Sequence, residues 1–221
     1  MKQLNVKARP DQLVGMARYG IVTENRLGVS IPELRKMARE HGKNHALALE
    51  LWKTEIPDAM ILASMIGEPE QLTERQMDEW VNDFNSWDVC DQVCNNFFSR
   101  HSLVWQKILD WSKSDEVFIK RAAFALLSSL AVHYNAPDEI FIDFLSVIKR
   151  ESTDNRNYVK KAVNWALRNI GKRNSNLNKV AITVAREILE IDSKASRWIA
   201  SNALRELESD AVKKKLEKMK N

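Results

Sequence analysis

A chain of 221 residues, 44% hydrophobic and 29% charged, is long enough to bury one sizeable core or one elongated array. Only 6 Gly and 5 Pro interrupt it, Ala, Leu, Lys and Glu abound, and no apolar run reaches the roughly 18 residues of a transmembrane helix, which together predict an all-helical protein without a membrane span. The net charge of +4 hides an asymmetry, because residues 1–99 carry 11 Lys and Arg against 15 Asp and Glu while residues 100–221 carry 23 against 15.

Residues 1–10 lack the hydrophobic region of a signal peptide, so a cytoplasmic location is expected. Asp11 to Tyr19 reads as the end of a first short helix, and residues 20–28 as a connector. Ser30 and Pro32 mark the next helix start, where the missing proline N–H costs nothing, and Gly42 stops that helix. Asn44 to Lys53 is the following helix, and Pro57 opens another that runs to Ile66. Thr73 with Gln76 three residues on forms a capping box ahead of Met77, Trp80 and Val81. Ser86 stands as the N-cap of a helix beginning at Trp87, its hydroxyl expected to accept from the first turn. Helices are then predicted over residues 103–111, 116–132, 137–148, 155–170, 177–189, 194–207 and 211–219, and no stretch alternates as a strand does.

The second half repeats itself weakly. Lys120 to Leu127, Lys160 to Leu167 and Arg197 to Leu204 align at intervals of roughly 40 residues, the period of helix-pair solenoids of the HEAT kind. The predicted fold is therefore all-α, a curved array of antiparallel helix pairs in which each pair buries its apolar face on the next. It is read as a single HEAT-like repeat domain over 1–221, with 209–221 a basic C-terminal helix or tail. Trp165 stands where the other two copies have Ala125 and Asn202, so repeat packing does not account for it. The remaining tryptophans Trp52, Trp80, Trp105, Trp111 and Trp198 are assigned to core or helix–helix contacts.

The basic second half suggests a polyanion partner, most often nucleic acid. A solvated lysine-rich surface is the plainer alternative, since Lys213, Lys214, Lys215 and Lys218 raise the count. Trp87 and Asp91 are four residues apart and share a helix face, so a ring face and a carboxylate can hold a flat cation between them. Here the plainer alternative is a core Trp beside a solvated Asp. Val89, Cys90, Val93, Cys94 and Phe97 supply the buried side, with the two cysteines acting as small hydrophobes. Two sulfurs with no nearby His cannot complete a zinc site, and His41, His45, His101 and His133 do not cluster, each reading as a surface or capping residue. There is no Walker loop, dinucleotide fingerprint or HExxH, so neither metal nor cofactor is expected.

Four segments, Leu27 to Arg35, Ser86 to Asp91, Phe118 to Ala123 and Lys161 to Arg168, resemble the AlkD-type DNA alkylation-repair glycosylases. They keep their order from about Ala17 to Gly171. The resemblance implies HEAT-like helical repeats and a DNA N-glycosylase that removes N3- and N7-alkylated purines from double-stranded DNA in base excision repair. It also implies that the lesion is not flipped into a pocket, unlike in most base-processing enzymes. Asp91 then matches the catalytic carboxylate that stabilises the sugar cation and positions water. Trp87 and Trp165 match the two tryptophans that contact the lesion nucleotide, Arg121 the arginine on the DNA backbone, and Tyr19 a tyrosine at the groove. Lys160, Lys161 and Arg168 are expected as supporting phosphate contacts. Ser30 falls where the best-known members carry a Gln that reaches toward the opposite strand, and Ser86 where they carry a second Trp.

The chemistry is consistent with that constellation. Alkylation at N3 or N7 makes the purine a cationic leaving group, and the transition state has oxocarbenium character that a carboxylate can stabilise. The leading expectation is thus a monomeric glycosylase acting on alkylated duplex DNA. The first rival is a non-catalytic HEAT-repeat protein that binds branched or damaged DNA, favoured by Ser30 and Ser86. The second is a protein-interaction scaffold, whose binding would be insensitive to salt.

Overall fold

A computed structural model describes residues 1–219, so Lys220 and Asn221 at the end of the expected basic tail lie outside the described residues. Fourteen α-helices and three short 3-10 turns are present among the described residues, with no strand. The helices form two compact units of the HEAT-like, α-solenoid kind, one over Met1–Val104 and one starting at Trp105. No helix is long and apolar enough to cross a membrane.

The first unit contains α1 (Lys2–Val6), α2 (Leu13–Arg18), α3 (Ile31–His41), α4 (His45–Trp52), α5 (Pro57–Ile66), α6 (Glu74–Asn82) and α7 (Trp87–Asn96). α5 is its centre and packs on α3, α4 and α7. Ser30 caps α3 and Gly42 ends it, as the sequence predicts. The capping box of α6 is complete, with Thr73 Oγ1 accepting from the Gln76 N–H at 3.2 Å. α1 went unpredicted: five residues with Leu4 alone buried leave no periodicity to read. Trp52 and Trp80 stack at 3.8 Å with planes 3° apart, and Phe84, Phe97 and Phe98 surround them. Such aromatic pairs add roughly 0.5–1.5 kcal/mol each beyond the area they bury. Cys90 and Cys94 are both fully buried, as expected. His45 departs from expectation, being buried at the start of α4 with its ring tilted on Phe97.

α8 (Val104–Trp111) leads into the second unit, followed by α9 (Val117–His133), α10 (Asp138–Glu151), α11 (Asn157–Gly171), α12 (Ser175–Leu189), α13 (Lys194–Leu207) and α14 (Asp210–Lys218). α9, α11 and α13 stack in one row, and α10 and α12 in another. The three repeat copies are segments of that first row. Cross-helix contacts advance in the same sense along the chain: Lys160 to Trp198, Asn164 to Asn202 and Arg168 to Glu206. α11 and α13 therefore run parallel, offset by 38 residues at each contact. α9 is apolar on all sides from Ala122 to Leu127, and every one of those residues is buried, so it forms the core of the unit. Full burial of Phe124, Leu126 and Leu127 contributes roughly 1.5–3 kcal/mol each.

Candidate nucleic-acid interface

In the first unit the candidate site is the N-terminal turn of α7 with the connector that runs over it. Ser86 occupies the N-cap position in extended backbone, but its hydroxyl makes no capping bond to the helix, contrary to expectation. It donates to Asp88 Oδ1 at 2.6 Å and accepts from the Val22 N–H at 3.2 Å. The Asp88 carboxylate takes the hydroxyl proton in a charge-assisted bond and the Val22 N–H takes the acceptor side, which turns the side chain away from the first turn of α7. Asp88 is also gripped bidentately by Arg26, at 2.7 and 3.1 Å, and Arg26 Nε donates to the Val22 carbonyl at 2.9 Å. This buried network fastens the connector to the start of α7.

The same connector is fastened to α5. Asp58 accepts from the Leu27 N–H at 2.8 Å and the Val29 N–H at 2.7 Å. Gly28 between them has φ +78°, and a Cβ there would lie 2.4 Å from the Arg9 carbonyl oxygen, so only glycine fits. The chain then enters α3 at Ser30, which accepts from the Glu33 N–H. Trp87, the first residue of α7, is half-buried and donates from Nε1 to the Tyr19 carbonyl at 3.2 Å. Tyr19 itself is 79% exposed. Asp91, half-buried, follows one turn after Trp87 on the same helix, as the spacing predicts.

In the second unit the candidate residues lie along α11. Tyr158, Lys161, Trp165, Arg168 and Lys172 recur at spacings of three and four, which places them on one stripe. Lys161 is exposed, and the other four are half-buried. Arg168 and Lys172 both reach Glu206 on α13, Lys172 at 2.6 Å, while the Arg168 Nε is buried with no hydrogen-bond partner. Burial works to raise the Glu206 carboxyl, but the hydrogen bonds from Lys172 and Arg168 and their charges outweigh it and leave it below the ordinary glutamate value. Lys160 leans over the Trp198 ring, 5.0 Å from its centroid.

Arg121 occupies the corresponding stripe on α9 but is only 6% exposed, with Nη1 donating to the Tyr158 carbonyl at 2.8 Å. It ties the start of α11 to α9. Lys120 beside it is held by Glu151 at 2.8 Å and Asp154 at 3.4 Å. Among the described residues no group of three or more His, Cys, Asp or Glu could hold a metal ion.

Residues 1–207 match the family model described as "DNA alkylation repair enzyme". The chain belongs to that family. A solved structure described as "a new family of proteins related to the HEAT-like repeat DNA glycosylases with affinity for branched DNA structures" has the same fold, with a TM-score of 0.77 and 21% identity over 93% of this chain and 92% of that one. Among curated proteins none matches significantly. The family relation to HEAT-like repeat DNA-repair proteins, expected from the four motifs, thus stands over residues 1–207.

Family membership gives the motifs a structural meaning. The segment from Leu27 to Arg35 contains the Asp58-bound turn and the α3 cap, and the segment from Ser86 to Asp91 contains the buried network and the Trp87–Asp91 pair. Arg26, Asp58 and Asp88 hold the site in place and were not singled out from sequence. Asp58 carried one signal: a carboxylate just inside a helix otherwise apolar from Ala59 to Ala63. Trp198, expected in a helix contact, meets α11 through Lys160 and is still 39% exposed.

Proposed function

We propose that this member of the DNA alkylation repair enzyme family binds branched or damaged duplex DNA without processing it. The observation that carries this reading is the fate of Ser86. Its hydroxyl is turned inward to Asp88 and Val22 within the first unit, and Trp87 beside it is the one indole at the start of α7. The solved relative with affinity for branched DNA supports the same reading. On α11, exposed Lys161 and half-buried Trp165 and Arg168 interleave charge and aromatic surface. That pattern suits sequence-tolerant contact with phosphates and unstacked bases, such as occur where duplex arms separate. Because Arg121 is buried, Lys161 at the equivalent repeat position is the stronger candidate for a phosphate contact.

A second reading, excision of N3- or N7-alkylated purines, is favoured by one observation. Asp91 stands one turn beyond Trp87 on α7, where a carboxylate and a ring face together can stabilise a developing sugar cation. A cationic purine needs no strong general acid to leave. A single experiment separates the two. The protein is incubated with duplex DNA carrying one N7-methylguanine, scored for abasic sites, and the same preparation is titrated with a four-way junction. Tight junction binding without abasic sites is expected. Single-turnover excision that Asp91→Asn abolishes would replace the proposed reading with the second.

A further inference from the structure

Resting on the DNA-binding reading, we infer that Trp198 on α13 is a stacking platform for an unpaired nucleobase, with Lys160 placed to take that nucleotide's phosphate. Trp198 is a large exposed aromatic in a row of helices whose other tryptophan, Trp165, is half-buried. The repeat alignment matches Trp198 with Lys161 on α11 and Arg121 on α9, the basic position of the stripe, one residue off the 38-residue register of the α11–α13 contacts. An indole has replaced a cation there, and a cation from the neighbouring helix, Lys160, covers its ring at 5.0 Å.

The two contacts that compete for this ring differ in size. A lysine over an exposed ring contributes about 2- to 5-fold in an equilibrium, whereas a base stacked on an aromatic side chain contributes about 5- to 150-fold. The base therefore displaces the ammonium. Lys160 has a flexible four-carbon stem and no acidic partner among the described residues, so its charge is free to turn to the adjoining phosphate. Arg197 next to Trp198 is instead engaged by Asp192 at 2.9 Å.

Trp198 and Trp165 take different nucleotides. The 38-residue offset sets Trp198 level with Lys160, five positions before Trp165. Five residues rise about 7.5 Å along a helix, and neighbouring helices lie about 8–10 Å apart, so the two residues are about 12 Å apart. That is roughly three to four base steps of 3.4 Å, too far for both rings to meet one base.

The test compares wild type, Trp198→Ala, Trp198→Phe and Lys160→Met by fluorescence anisotropy on a single-stranded oligonucleotide, a four-way junction with unpaired bases at its branch, and a fully paired duplex. Trp198→Ala is expected to lose about 5- to 150-fold on the single strand and on the junction, with little change on the duplex. Trp198→Phe should keep most of the affinity, and Lys160→Met should shallow the salt slope by about one unit. Equal loss of all three DNAs in Trp198→Ala, or no loss at all, overturns the inference. A wild type that binds the junction no better than the duplex overturns the proposed function instead, and the single-strand arm still reads Trp198.

Discussion

Replacing Asp88 with Ala should be among the most damaging single changes in the first unit. The Arg26 and Asp88 side chains are 3% and 12% exposed, so this ion pair is buried and little screened. Removing the carboxylate leaves a guanidinium inside the protein with only the Val22 carbonyl for its Nε, and it takes away the acceptor of the Ser86 hydroxyl. Breaking one side of a buried pair costs about 3–5 kcal/mol, a large share of the 5–15 kcal/mol that holds a typical domain. With a urea m-value of about 2 kcal/mol/M, the unfolding midpoint should fall by about 2 M. Urea titration followed by tryptophan fluorescence measures it. Because the network fastens the connector to the start of α7, the Trp87 Nε1 bond to Tyr19 should loosen as well, and junction binding should weaken even below the midpoint. Replacing both partners with Leu removes the stranded charge and should recover most of the loss. A midpoint drop under about 0.5 M for Asp88→Ala is what an exposed surface pair would give, and it would refute the reasoning.

Three further outcomes follow from the second unit. Glu206→Gln releases Arg168 and Lys172 from their shared carboxylate, so duplex affinity should rise and the salt slope steepen, read by anisotropy at two salt concentrations. The Glu206 carboxyl is held below its ordinary value of 4.5, so its stabilising contribution is fully present above that pH and lost as the pH falls through the depressed value. Wild type and Glu206→Gln should then differ in thermal midpoint at neutral pH and converge in acid. Arg121→Ala removes a buried charge-assisted bond to the Tyr158 carbonyl and should destabilise the protein by about 1.5–3 kcal/mol, whereas Lys161→Ala should leave the melting temperature unchanged and shallow the DNA salt slope by about one unit.

The helix starts were legible because capping is local chemistry. Ser30 with Pro32, and Thr73 with Gln76, announce themselves within four residues. The i,i+4 spacing of Trp87 and Asp91 survives into α7, and the alignment that set Trp165 apart corresponds to the row of α9, α11 and α13. What escaped the sequence is long-range. Arg26 and Asp88 are 62 residues apart, and only the fold tells Ser86 to serve that pair rather than cap its own helix. The repeat pattern likewise says which stripe a residue occupies but not how deeply it is covered. Arg121, which the resemblance puts on a DNA backbone, is buried beneath the start of α11, while Trp198 makes its helix contact through Lys160 and yet stays 39% exposed.

Preference for branched over fully paired DNA can be read from competition between a four-way junction and a duplex with the same number of phosphates. Measured at about 50 and 200 mM salt, both affinities should fall steeply as counterion release weakens, with the ratio in favour of the junction preserved. A ratio that collapses to one as salt rises would rule out recognition of the branch, because affinity would then follow phosphate charge alone.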